Sequence, residues 1–164
     1  MKKHNFWLGI WEFELKDKDG NVIEKYKNQN ALADEGESLL LDSFFRGQNS
    51  PTGGFYIRLF NDTPVETDAL SDLTGEPSGN GYSAQALAQD TTDFPTLELD
   101  SGDYQVVSKS VTITSTGTIG PVTYAVLATS SDNTGKLVAY VELSTPRTLA
   151  NGESLTITLT IKLQ

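Results

Sequence analysis

Glu153-Ser154-Leu155-Thr156-Ile157-Thr158-Leu159-Thr160-Ile161-Lys162-Leu163 carries an apolar side chain at every second position: Leu155, Ile157, Leu159, Ile161 and Leu163. Only an extended strand sets all five on one face. The other face, Ser154, Thr156, Thr158, Thr160 and Lys162, is polar. One side is therefore buried and the other is wet or partner-facing, as in an antiparallel sheet.

Working back from this stretch, the chain stays almost wholly β as far as Tyr104. Val107, Lys109, Val111 and Ile113 read as one face of a long strand, Val122, Tyr124 and Val126 as the next, and Leu137, Ala139, Val141 and Leu143 as a third. The links at 116–121, 130–135 and 146–152 are short and carry Gly, Asn, Asp or Pro, which predicts antiparallel meander or Greek-key connections. At the other end, Trp11, Phe13 and Leu15 alternate with Glu12, Glu14 and Lys16. Asp17-Lys18-Asp19-Gly20-Asn21 then turns the chain into a second strand at residues 22–26. Asp17, Asp19 and Asn21 resemble the start of a calcium loop, but Asn28 stands where a bidentate Glu would be needed, so a plain turn is expected.

Between these β regions, Leu32, Gly36, Leu40 and Phe44 recur every four residues with Leu39 and Ser43 beside them. That spacing predicts a helix near residues 31–46 whose Leu and Phe stripe is core, with Asn30 or Asp34 as its cap and Arg46-Gly47 at its end. Phe55-Tyr56-Ile57-Arg58-Leu59-Phe60 is a strand. Residues 61–81 form a long polar loop containing Leu70 and Leu73 in one helical turn, a second irregular stretch covers 90–102, and residues 82–87 are a candidate short strand. The expected architecture is a mainly β, antiparallel β-sandwich, jelly-roll-like, of about eight or nine strands with one helix. It occupies 1–164 as a single domain, with 1–8 a candidate N-terminal arm.

The formal net charge of -10 sets like charge against a phosphate backbone, so nucleic-acid binding is disfavoured. Calcium or a basic partner is the sharper alternative to simple solubility, and Asp90, Asp93, Asp100 and Asp103 are the candidate ligands. With no cysteine, disulfides and thiolate metal sites are excluded. No apolar run is long enough for a membrane span and no secretory signal is visible, which fits folding in a reducing cytosol. The single histidine, His4, leaves no Ser/His or Cys/His pair, and the Gly-rich stretches 75–81 and 116–120 match no phosphate-binding motif. The chain is expected to have no enzymatic activity and no cofactor.

Trp7 and Trp11 would share one strand face, the arrangement with which carbohydrate-binding modules stack sugar rings; core or interface packing is the competing role. Taken together, the Trp-rich hairpin with Asp19-Gly20, Asn30-Ala31-Leu32-Ala33-Asp34-Glu35-Gly36 leading into the helix, Phe55-Tyr56-Ile57-Arg58-Leu59-Phe60-Asn61-Asp62-Thr63-Pro64, Gly81-Tyr82, Lys109-Ser110-Val111-Thr112-Ile113-Thr114, and Leu137-Val138-Ala139-Tyr140-Val141-Glu142-Leu143 with Ser144-Thr145-Pro146, Thr148-Leu149 and Gly152-Glu153-Ser154-Leu155 form an order that resembles small virion structural proteins of tailed bacteriophages. The resemblance implies a non-enzymatic subunit of the capsid surface, neck or tail. Such a subunit folds in the host cytoplasm and assembles with other virion proteins and with copies of itself. A carbohydrate-binding module or adhesin head is the alternative. The expected partner contacts are Phe6, Trp7, Leu8 and Trp11, with Leu70 and Leu73 of the long loop; no metal site is assigned, and a bound glycan remains an alternative to be tested.

Overall fold

A computed structural model of the chain describes residues 9–162. Eleven antiparallel strands form two sheets that face each other. The first sheet takes β1 (Ile10–Lys16), β2 (Val22–Gln29), β6 (Thr96–Asp100), β7 (Asp103–Val107), β8 (Val111–Thr114) and β11 (Ser154–Lys162). The second runs in the order β3 (Ala31–Leu32), β10 (Leu137–Leu149), β9 (Ile119–Ala128), β4 (Phe55–Phe60) and β5 (Gln85–Leu87). Eleven exceeds the eight or nine expected, because β3 and β5 are two and three residues long and β6 lies in the stretch expected to be irregular.

The terminal alternation behaves as its pattern demands. Leu155, Ile157 and Leu159 are buried between the sheets, and β11 is an interior strand, paired with β1 on one side and with β8 and β7 on the other. From β1, Trp11, Phe13 and Leu15 enter the same core, where the rings of Trp11 and Phe13 stack at 6.2 Å and those of Phe13 and Tyr26 at 5.0 Å. Asp17 accepts bonds from the Asp19 and Asn21 backbone N–H groups and from the Asn21 side-chain amide, so the supposed calcium loop is an Asx-type turn.

Two expectations about the strands are corrected. The long strand through Val107, Lys109, Val111 and Ile113 is two strands, because Ser108 breaks the ladder: its Oγ, rather than a backbone carbonyl, accepts the Leu159 N–H at 3.0 Å. Lys109 is thereby released to pair with Asp93 at 2.6 Å. The links 115–118 and 150–153 do not make hairpins of neighbouring strands. Each carries the chain from one sheet to the other, so the meander is replaced by crossings at the sandwich end.

The loop 61–81 is folded onto the outer face of the second sheet. Leu70 and Leu73 insert into a separate apolar cluster with Ala33, Phe60, Val126, Ala128 and Leu137. What pins this loop is a buried ion pair: Arg58, 1% exposed, forks onto Glu76 at 2.9 and 2.5 Å and also donates to the Asp132 carbonyl and the Asn133 side chain. Tyr82 donates to Glu76 at 2.8 Å and accepts the Leu59 N–H at 2.9 Å, while burial pushes its phenol pKa well above the ordinary value. Below Arg58, the Asp132 carboxylate accepts bonds from the Ser130 and Thr134 hydroxyls and the Thr134 N–H, which lowers its pKa to about 2. A carboxylate depressed below its unfolded value of about 3.9 adds stability above that pH and loses it as the pH falls through about 2. Acid titration of the fold should therefore show stability declining between about pH 4 and 2, with a shallower decline in Asp132→Asn; equal slopes for the two proteins would refute this role.

Candidate assembly surface

The helix α1 (Asp34–Arg46) begins with Asp34, Glu35 and Glu37 at its positive end and finishes on Gly47 at φ 63°. Its cap differs from expectation. Ala33 holds the N-cap position and has no side-chain oxygen to accept a helix N–H, so the role passes to tertiary partners: the Asp34 N–H donates to the Glu66 carbonyl at 2.9 Å. Glu35 turns away from the helix and accepts the backbone N–H groups of Leu70 and Leu137 at 3.0 and 2.7 Å, tying α1 to the loop and to β10.

The buried face of α1 is also not the expected one. Gly36 sits directly on β10, where a Cβ would stand 2.1 Å from the Val138 carbonyl oxygen, and Leu39 follows it into the core at 5% exposure. That contact fixes the rotation of the helix. Leu40 and Phe44, one position further round, turn outward with Leu41 and Phe45: their exposures are 45%, 83%, 60% and 75% in the order Leu40, Phe44, Leu41, Phe45. Of the expected stripe, Leu32, Gly36 and Leu39 are therefore core, while Leu40 and Phe44 are surface. Leu39-Leu40-Leu41 and Phe44-Phe45 together span more of the helix circumference than one buried face needs, and this excess was the available sequence signal for exposure. The two Phe rings meet edge to face at 5.0 Å.

Beside this face lies a groove of about 310 Å³ at the open end of the sandwich. Leu40 and Phe44 of α1 form one wall, Phe55, Leu127 and Val138 of the second sheet the floor, and Ile161 of β11 the far side. The apolar surface continues past Ile161. Val106 pairs with Ile161 and Leu97 with Val106, and Leu99 and Tyr104 pair one step outward, so all five point to the interior side of the first sheet. Leu97, Leu99 and Tyr104 on the β6–β7 hairpin are 74%, 61% and 62% exposed, so among the described residues nothing covers this face. This overhang was missed in the sequence because Leu97 and Leu99 fall in a stretch that looked irregular.

The expected contact residues are distributed differently. Trp11 and Leu70 are fully buried and Leu73 is 3% exposed, so these three side chains fill cores and offer a partner no surface. Trp11 cannot stack on a sugar from that position. Phe6, Trp7 and Leu8 lie outside the described residues. Of the candidate calcium ligands, Asp93 accepts the Ala88 N–H and pairs with Lys109, Asp100 pairs with Lys162, Asp90 caps the turn at Thr92 and Asp93, and Asp103 sits at the start of β7. No group of three or more His, Cys, Asp or Glu side chains converges among the described residues. Nor is any described helix long and apolar enough to cross a membrane.

Comparison with protein families finds a match over residues 31–161 to the model described as Podophage GP4 fiber I protein gp80, a span that runs from β3 into the end of β11 and takes in α1 and the overhang. No curated protein sequence matches the chain.

Proposed function

Because the chain belongs to the podophage GP4 fiber I protein gp80 family, and is thus a structural protein of a bacteriophage virion, we propose that it is a non-enzymatic component of the tail fibre that acts by packing against neighbouring virion subunits through the apolar face of α1 and the β6–β7 overhang. The family description favours the fibre over the head-decoration and neck locations that the sequence resemblance also allowed. One observation carries the proposal: seven large apolar side chains are exposed, Leu40, Leu41, Phe44 and Phe45 on α1 and Leu97, Leu99 and Tyr104 on the β6–β7 hairpin. Their combined exposed area is on the order of 800 Å². Covering that surface against a neighbour gives an interface of ordinary size.

The partner fitted by this surface is a second copy or another fibre subunit presenting apolar side chains, since Asp42, paired with Arg46, is the one charged residue between the exposed apolar positions Leu40, Leu41, Phe44 and Phe45 of α1. Introducing two carboxylates at Leu41 and Phe45 removes about 3 kcal/mol of apolar burial, so the association constant should fall roughly a hundredfold. Sedimentation of Leu41→Asp/Phe45→Asp beside the wild type checks this. Both positions are exposed, so the melting temperature should be unchanged; a variant that associates as tightly as the wild type would refute the surface.

A further inference from the structure

Gly36 and Leu39 face the sandwich, so the helical repeat turns Asp34, Glu37, Leu41 and Phe45 furthest from it, with Phe44 beside them. All five are exposed. The chemistry of this stripe is ordered along the helix axis: carboxylates in the first turn, Leu41 in the middle, and the two Phe rings followed by Arg46 in the last turn. Glu35 is not part of it, because its carboxylate is taken by the Leu70 and Leu137 N–H groups. Arg46 pairs with Asp42 at 3.0 Å, yet its side chain is 76% exposed and presents its guanidinium to solvent.

A partner that covers the stripe needs apolar side chains over the middle, a cation over the first turn and an anion over the last. The same helix turned end for end has that order. Placed antiparallel, Leu41 meets Leu41 of the other copy, the two Phe rings of each lie over the first turn of the other, and Arg46 approaches Asp34 and Glu37. The negative end of each helix dipole also comes beside the positive end of the other. A parallel copy would instead set carboxylates against carboxylates and Arg46 against Arg46. The area is sufficient: the outward stripe exposes on the order of 500 Å² in each copy, so the pair buries about 1,000 Å², the size at which a specific interface forms.

We propose that α1 pairs antiparallel with α1 of a second copy about a two-fold axis at Leu41, burying Leu41, Phe44 and Phe45 and setting Arg46 of each copy against Asp34 and Glu37 of the other. The contact is isologous, with the same patch used on both sides, so it closes on two copies. This inference rests on the assembly reading of the helix face and names its partner and orientation.

The chain has no cysteine, so introduced thiols report alone. Treated with a short bismaleimide, Leu41→Cys is expected to give covalent dimers. Glu37→Cys and Arg46→Cys are each expected to give none alone, but to link to one another when the two proteins are mixed and left to exchange. Antiparallel packing brings position 37 of one copy to position 46 of the other and holds like positions more than about 10 Å apart along the axis. The three positions are exposed, and circular dichroism matching the wild type confirms the fold of each variant. Dimers of Glu37→Cys alone or Arg46→Cys alone would overturn the proposal in favour of a parallel pair. A mixture that fails to link, while Leu41→Asp/Phe45→Asp still lowers association, overturns the self-pairing of α1 alone; a Leu41→Asp/Phe45→Asp protein that associates as tightly as the wild type overturns the assembly surface with it.

Discussion

Replacing Trp11 by alanine is expected to lower the melting temperature by roughly 6–20 °C. The side chain is fully buried, stacked on Phe13, and placed on the strand that pairs with the centre of the first sheet through Leu159. Removing a buried aromatic from such a site costs about 3–5 kcal/mol, and in a domain of this length each kcal/mol is worth about 2–4 °C. The loss reflects packing alone, because the indole Nε1 has no hydrogen-bond partner among the described residues. Trp11→Phe should accordingly be far milder, and thermal melts that rank the two variants equally would contradict the core position.

The second large effect concerns the pinned loop. Glu76→Ala leaves the Arg58 guanidinium buried without its counter-ion, and breaking a buried pair from one side costs about 3–5 kcal/mol. Glu76 is itself 25% exposed, so the low end of that range applies, and a fall in melting temperature of about 6–12 °C is expected. The remaining Asp132 and Asn133 contacts do not neutralise the charge. Removing the charge as well, in Arg58→Met/Glu76→Ala, should restore much of the loss, because the cost comes from the unpaired ion. Urea unfolding of the two variants tests this: a double variant no more stable than Glu76→Ala would show that the pair acts in some other way.

The parts of the fold that were legible in the sequence are those governed by local chemistry. The alternation of β11, the Asp17 to Asn21 turn and the basic residue and glycine at the end of α1 each depend on neighbours within a few residues. The illegible parts depend on distant contacts. The rotation of α1 is set by Gly36 against the Val138 carbonyl, and nothing within the helix distinguishes Leu39, which is buried, from Leu40, which is not. Likewise, Ser108 could not be read as a ladder acceptor until β11 was known to run beside it. Arg58 did leave a trace, as a lone charge in the apolar strand Phe55–Phe60, but its partner lies 18 residues on in a long polar loop with no strand pattern of its own.

The same division explains the candidate surface. Leu70 and Leu73 stood out as isolated apolar residues in a polar loop, the pattern of a contact site, and the Arg58–Glu76 pair instead draws that loop over its own sheet. The exposed apolar residues are found where the two sheets fail to overlap and where α1 turns its outer face to solvent.

The most direct measurement is the copy number of this chain in purified phage particles carrying Leu41→Asp/Phe45→Asp. If the helix face joins the chain to its neighbours, particles should hold few or no copies of the variant under conditions that saturate them with the wild type, while the isolated variant melts as the wild type does. Particles holding the full wild-type copy number of the variant would contradict the account.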